Sequence, residues 1–287
     1  MHHLVLTLLL GLVLVPALGS GSDLDRTVRL GRTAGGLLTA PVTLNGQGPF
    51  TFVVDTGASR TVVDPAVAHR LGLVVVPGAR MRTSAGEIEA AVSAAGTFLV
   101  GGLQMSAVPV IVAPLEHLRA SEGRLHGVIG QDVLGRVDVV IDGGARRLIV
   151  PAWGRPEGAR VPFTRDATGR LRVMVRVSWL GETPVPLVVD SGATAVVLFA
   201  ESPFVAGRRV GGAHGRLVRT AGHAVLASGL RPGRVEAGEG AWPDLPGVVM
   251  AGGATRADAG LLPLALLGPV YIDQARGELV RLDRPSP

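Results

Sequence analysis

Cysteine is absent from this 287-residue chain, and so is lysine. The first absence removes disulfides, thiolate metal sites and cysteine nucleophiles together. The second makes all 28 basic residues arginine. They are scattered, with only Arg146-Arg147 and Arg208-Arg209 adjacent, and no aromatic ladder runs beside them. The net charge of +5 thus describes a solvated basic surface, and no nucleic-acid partner is expected. Aromatics make up 3% of residues against 47% hydrophobic residues in all, so the core has to be aliphatic. The chain also lacks a Gly-x-Gly-x-x-Gly run, a phosphate-loop lysine and a nucleophile elbow, which leaves nucleotide binding and hydroxyl nucleophiles unsupported. Its seven histidines show no metal-ligand spacing, so neither a metal nor another cofactor is expected.

What is present is glycine and proline, 41 and 20 residues, punctuating short apolar runs. That composition predicts strands joined by turns. The apolar run Leu4 to Val15 is too short to span a bilayer and is followed by the small residues Pro16 to Ser22. Residues 1–21 are therefore read as a signal peptide, and the protein as periplasmic or secreted. Membrane contact is expected only if that segment stays uncleaved, and no large propeptide fits before the first strand.

One stretch is written twice. Phe52-Val53-Val54-Asp55-Thr56-Gly57-Ala58-Ser59 returns as Leu187-Val188-Val189-Asp190-Ser191-Gly192-Ala193-Thr194, 135 residues on. The match runs back without a gap through the preceding hairpin, placing Gly46 on Gly181 and Pro49 on Pro184. Downstream, Arg82-Thr83-Ser84-Ala85-Gly86 is echoed by Arg219-Thr220-Ala221-Gly222, each reading as a hairpin tip. The segment Gly127 to Gly135, with Ile129-Gly130, is echoed by Gly260 to Gly268, with Leu262-Pro263. A strand and an acidic turn follow each, ending on Asp142 and Asp273. The chain is a duplication: a lobe over 24–150, a turn-rich linker over 151–160 and a lobe over 161–284. Short helices are expected at Asp64 to Leu71 and at Val133 to Arg136.

A strand ending in Asp-(Thr/Ser)-Gly-Ala-(Ser/Thr), with a later apolar-apolar-Gly segment, resembles the aspartic proteases. The likeness covers roughly residues 27 to 283 and is nearest to bacterial single-chain, two-lobe members whose halves each resemble a retropepsin subunit. It implies an all-β acid protease fold, two retropepsin-like β-barrel lobes with a cleft between them and a few short helices. It implies an aspartic endopeptidase with Asp55 and Asp190 as the catalytic pair. Thr56 and Ser191 would bond across the lobe interface, Gly57 and Gly192 would let the two loops close up, and Ser59 and Thr194 would bond the outer carboxylate oxygens. Thr83, Ser84, Ala85 and Gly86 would form a flap over an extended peptide substrate, with Thr220, Ala221 and Gly222 as its counterpart. A monomer is expected.

The chemistry follows from the pair itself. Two carboxylates in contact cannot both ionise cheaply, so they share a proton. One can then act as base on a water while the other donates to a carbonyl oxygen. A mildly acidic to neutral working range is expected, because few hydroxyls surround the pair. Asp142 and Asp273 read as turn caps, and Asp132 as a helix N-cap. One position breaks the repeat: Pro263 stands where Gly130 does, and proline fixes φ and removes a donor. Asp190 is therefore expected to be held less tightly than Asp55. The rival to the enzyme is a peptide-binding pseudoprotease of the same fold.

Overall fold

The computed structural model describes residues 26–83, 86–115, 124–207, 215–219, 224–251 and 257–283. The architecture is all-β with two short α-helices among these residues, as expected. In the first lobe, Leu38–Leu44 and Gln47–Val54 form an antiparallel hairpin around Asn45-Gly46, both with positive φ (50° and 73°). That turn matches the right-handed twist of the flanking strands. Gln47–Val54 then runs parallel to Gly127–Ile129, so the strand ending at Asp55 lies in the middle of its sheet. The second lobe repeats this with Val185–Asp190 parallel to Gly260–Pro263.

The two copies are not gapless throughout. Thr39 faces Val53 in the first hairpin, whereas Arg172 faces Val188 in the second. The strands carrying the aspartates keep the 135-residue offset, while the strand before each has slid by two residues. A short 3-10 turn at Ser178–Leu180 takes up the difference. A two-residue slip preserves which side chains face inward, whereas a slip of one would have turned the core outward.

Six antiparallel strands join the lobes. In order they are Arg26–Arg29, Arg147–Val150, Val139–Asp142, Val270–Asp273, Glu278–Arg281 and Ala159–Arg165, three from each copy. The last strand begins inside the stretch read as the linker. At the centre Val140 stands opposite Tyr271, and each lies two residues before its acidic turn residue. Equivalent residues facing one another mark a pseudo-two-fold axis through this pair. One face of the sheet (Val139, Ile141, Leu148, Val270, Ile272, Leu279) is buried in the main core. The other packs Val140, Ile149, Tyr271 and Val280 under Trp153, whose ring lies 5.9 Å from that of Tyr271.

The helices are short and serve the site. Pro65–Arg70 starts on Asp64, whose carboxylate accepts from Ala66 N at 3.0 Å. The second occupies Gln131–Leu134, earlier than expected, because Gly130 O already accepts from Val133 N and Leu134 N. Its counterpart in the second lobe is a 3-10 turn, Leu264–Leu266. Asp142 and Asp273 cap their turns as read, accepting from Ala145 N (2.8 Å) and Arg276 N (2.9 Å).

Candidate active site

The two catalytic-type loops meet on the pseudo-two-fold axis and lock each other through their hydroxyls. Thr56 Oγ1 donates to Val189 O (2.9 Å) and accepts from Ser191 N (2.9 Å). Reciprocally, Ser191 Oγ donates to Val54 O (2.8 Å) and accepts from Thr56 N (3.0 Å). Four buried bonds thus cross the lobe boundary, and both side chains are at most 2% exposed. Each hydroxyl uses its donor and an acceptor lone pair on the opposite loop, so neither loop can shift alone without stranding buried backbone groups.

That lock presses the aspartates together. Asp55 Oδ1 accepts from Gly57 N (2.8 Å) and Ala58 N (3.1 Å), and Asp190 Oδ1 accepts from Gly192 N (2.7 Å) and Ala193 N (3.0 Å). Each carboxylate is therefore held by its own loop through one oxygen, and the two carboxyls lie close enough to perturb each other. Glycine is required beside them: a Cβ on Gly57 would lie 2.6 Å from Asp190 Cγ, and one on Gly192 would lie 3.3 Å from Asp55 Cγ.

Burial raises the pKa of both carboxyls above the ordinary aspartate value. At Asp190 the charge on Asp55 adds repulsion to the loss of solvent. The loop amides pull both back toward ionisation. The pair thus resists ionising twice and can share a single proton, which is the state acid–base work on a bound water needs.

Ser59 and Thr194 do not take the part expected of them. Neither hydrogen-bonds an aspartate among the described residues, and Thr194 is exposed, its Cγ2 turned toward Gly36. Asp132 is also not an N-cap. Its carboxylate reaches across to the first catalytic loop, accepting from Thr61 N (2.9 Å) and Thr61 Oγ1 (2.7 Å). Thr61 Oγ1 in turn accepts from Gly130 N (3.2 Å), Gln131 N donates to Ala58 O (2.8 Å), and Gln131 Nε2 donates to Thr56 O (3.1 Å). Gly130 has to be glycine, since a Cβ would lie 2.5 Å from the Arg60 carbonyl carbon. Sequence reasoning missed Thr61 and Gln131. The available signal was that both, with Asp132, change character together in the second copy.

Those changes dispose of the expected weakness at Pro263. The second copy replaces Thr61 by Val196, Gln131 by Leu264 and Asp132 by Ala265, so no group there needs the amide that proline lacks. Pro263 (φ −75°, ψ 90°) sits in register beside Asp190, and Val196 and Leu264 are buried against the core. A polar brace has been exchanged for an apolar one, and Asp190 keeps both loop amides.

Hairpin stems rise at corresponding places in both lobes. Val76–Thr83 pairs with Gly86–Val100, closing at Thr83 opposite Gly86, and Gly215–Arg219 pairs with Ala224–Leu230. The tips, Ser84-Ala85 and Thr220 to Gly222, lie outside the described residues. Met81 and Ile88 of the first stem pack into the cluster that includes Ala58 of the catalytic loop, which sets that stem beside the dyad. A separate surface groove of about 510 Å³, lined by Leu73, Val74, Val76 and Val92, shares no residue with the dyad loops.

The sequence pattern of the aspartyl protease family matches residues 40–133, from the strand before Asp55 through the brace at Gln131 and Asp132. The chain thus resembles the aspartic proteases over a stretch that lies within the first lobe, and the second lobe repeats its strands, loop and dyad residue. Among solved structures, a retropepsin-like aspartic protease from Rickettsia conorii is 21% identical, covering 44% of this chain and 89% of its own, with a TM-score of 0.34. Basic 7S globulin from soybean is 14% identical, covering 89% of this chain and 94% of its own, with a TM-score of 0.47. No curated protein matches the chain. The architecture is all-β, two lobes with the aspartates between them.

Proposed function

We propose that this chain is an aspartic endopeptidase with one active site, built between its two lobes from Asp55 and Asp190. The observation that carries the reading is the reciprocal Thr56–Ser191 lock, which holds two half-buried carboxyls against each other. A binding protein has no need to keep two mutually repelling acids together.

In this reading the carboxyl pair carries a single proton and a water lies against it. The ionised carboxylate takes a proton from that water as its oxygen attacks the scissile carbonyl carbon. The protonated carboxyl donates to the carbonyl oxygen, giving a neutral tetrahedral diol. Proton transfer to the amide nitrogen then breaks the C–N bond, releasing a carboxylic acid and an amine and restoring the one-proton pair. The substrate is a peptide in extended form, its backbone pairing with the hairpin stems as an added strand. Residues 1–21 are proposed as an export signal, making the site of action periplasmic or extracellular.

The test is cleavage of a mixed peptide library by purified protein across pH 3 to 8, with Asp55→Asn and Asp190→Asn alongside. Each variant is expected to lose at least about 10²- to 10⁴-fold in rate, the usual contribution of a positioned acid or base. Peptide binding without cleavage by the parent at any pH would establish the pseudoprotease instead.

A further inference from the structure

The lobes share a fold but differ in chemistry on the sheet face that carries the dyad. Val53 and Val188 each lie two residues before an aspartate, so their cross-strand neighbours Thr39 and Arg172 share the face from which Asp55 and Asp190 project. The same correspondence sets Leu37 against Arg170. It also sets Leu125 against Asp258, because His126 N bonds Thr51 O as Ala259 N bonds Pro186 O. In the first lobe this face is apolar: Leu37, Ala58, Met81 and Ile88, all partly exposed, pack over Val53 and Leu125.

In the second lobe it is ionic. Arg172 Nε donates to Asp258 Oδ1 at 2.6 Å, and Arg170 Nη2 lies 3.2 Å from Asp258 Oδ2 and 2.6 Å from Asp166 Oδ2. Asp258 is buried, whereas the Arg170 and Arg172 side chains are 28% and 29% exposed. The Nη1 and Nη2 groups of Arg172 have no partner among the described residues, so the open end of the guanidinium faces solvent with its Nε anchored. An arginine fixed at Nε presents two parallel N–H donors, the geometry that accepts a carboxylate through both oxygens.

We propose that the cleft is chemically polarised: the first lobe takes an apolar substrate side chain, and the second takes an acidic one on the free edge of Arg172. This rests on the endopeptidase reading. Asp258 serves as the anchor that orients Arg172 without occupying its open donors. A neutral amide in place of the acid forms weaker bonds to the same donors, which is where discrimination arises.

The experiment uses acetylated, amidated peptides that differ only by Glu or Gln at one position, scanned along both sides of the cleaved bond. Affinity for the Asp55→Asn protein is read by fluorescence anisotropy, which requires no turnover. At one position Glu is expected to bind about tenfold more tightly than Gln, the usual advantage of one charge-assisted contact. Adding Arg172→Gln, which keeps a donor toward Asp258, is expected to bring the ratio to about one. Arg170→Leu/Arg172→Thr/Asp258→Leu, carrying the first lobe's residues, is expected to do the same without leaving Asp258 unpaired, while Asp166 keeps its bonds from Thr168 and from the backbone N–H at position 170. Arg60→Ala, at the exposed cation beside the first loop, is expected to leave the ratio intact. The proposal is overturned if no position favours Glu, if the ratio survives Arg172→Gln, or if Arg60→Ala abolishes it instead. Parent cleavage that persists in Asp55→Asn would sink the catalytic reading, whereas the binding ratio judges the polarity of the cleft separately.

Discussion

Thr56 and Ser191 are the residues on which the rest of the site depends. Thr56→Val keeps shape but leaves Val189 O and Ser191 N buried without partners, which should cost about 2 to 4 kcal/mol in urea unfolding. A cost below about 0.5 kcal/mol would mean that the lock is not closed in solution. The dyad itself makes a pH prediction whose sign follows from the raised pKa values. A carboxyl that holds its proton more tightly in the fold than in the unfolded chain destabilises the fold as pH climbs above about 4, the ordinary aspartate range. Asp190→Asn removes that burden, so it should gain stability on the parent as pH rises from 4 to 7, by thermal melts at each pH. A constant difference between the two would refute the assignment of burial and repulsion to this pair. Both aspartates and both hydroxyls were legible in the sequence, because a duplicated motif points at its own partner. Ser59 and Thr194 were not, since which donors reach a carboxylate depends on loop amides that carry no sequence signal.

At the level of elements, the informative comparison is between the two supports beneath the catalytic loops. Gly130→Ala forces a Cβ against the Arg60 backbone and should cost about 1 to 3 kcal/mol or more, the usual penalty of overpacking. Pro263→Ala, at the equivalent place, adds no atom where none stood and should cost about 1 kcal/mol or less, mainly through a freer unfolded chain. Equal costs in denaturant titrations would show that the two supports are not alternative solutions. The sequence exposed Pro263 as a departure from the repeat, yet its meaning was hidden. Judged alone, it loses a donor. Judged with Val196, Leu264 and Ala265, it belongs to a coordinated exchange of Thr61, Gln131 and Asp132 for apolar side chains. The hairpin register was hidden for a similar reason: a two-residue slip leaves the inward pattern of side chains unchanged, so periodicity cannot detect it. The Arg170–Asp258–Arg172 cluster joins residues 86 and 88 positions apart, a pairing that only the parallel strand Gly260–Pro263 brings about.

For the molecule as a whole, the six-stranded sheet decides whether two lobes act as one body. Val139–Asp142 and Val270–Asp273 form its central ladder, and the inner face of that ladder is continuous with the cores of both lobes. Separating the lobes would unpair the ladder, uncover Ile141, Val270 and Ile272, and strand the four bonds between Thr56 and Ser191 together with their backbone partners. Each of those costs falls on both halves at once. Neither lobe therefore has a low-energy state in which it stays folded while the other melts. Urea unfolding followed by tryptophan fluorescence and by far-ultraviolet circular dichroism should give a single coincident transition. The fluorescence has a vantage on both regions, with Trp153 on the shared sheet and Trp242 buried in the second lobe. Tyr271→Phe sharpens the test, for Tyr271 OH donates to Asp138 Oδ2 at 2.6 Å beside the pseudo-two-fold axis. Its removal should cost about 1 to 3 kcal/mol and shift the whole transition without splitting it. Two separated transitions in the parent, or a split in Tyr271→Phe, would show that the lobes fold independently and that the dyad is assembled only after each is complete.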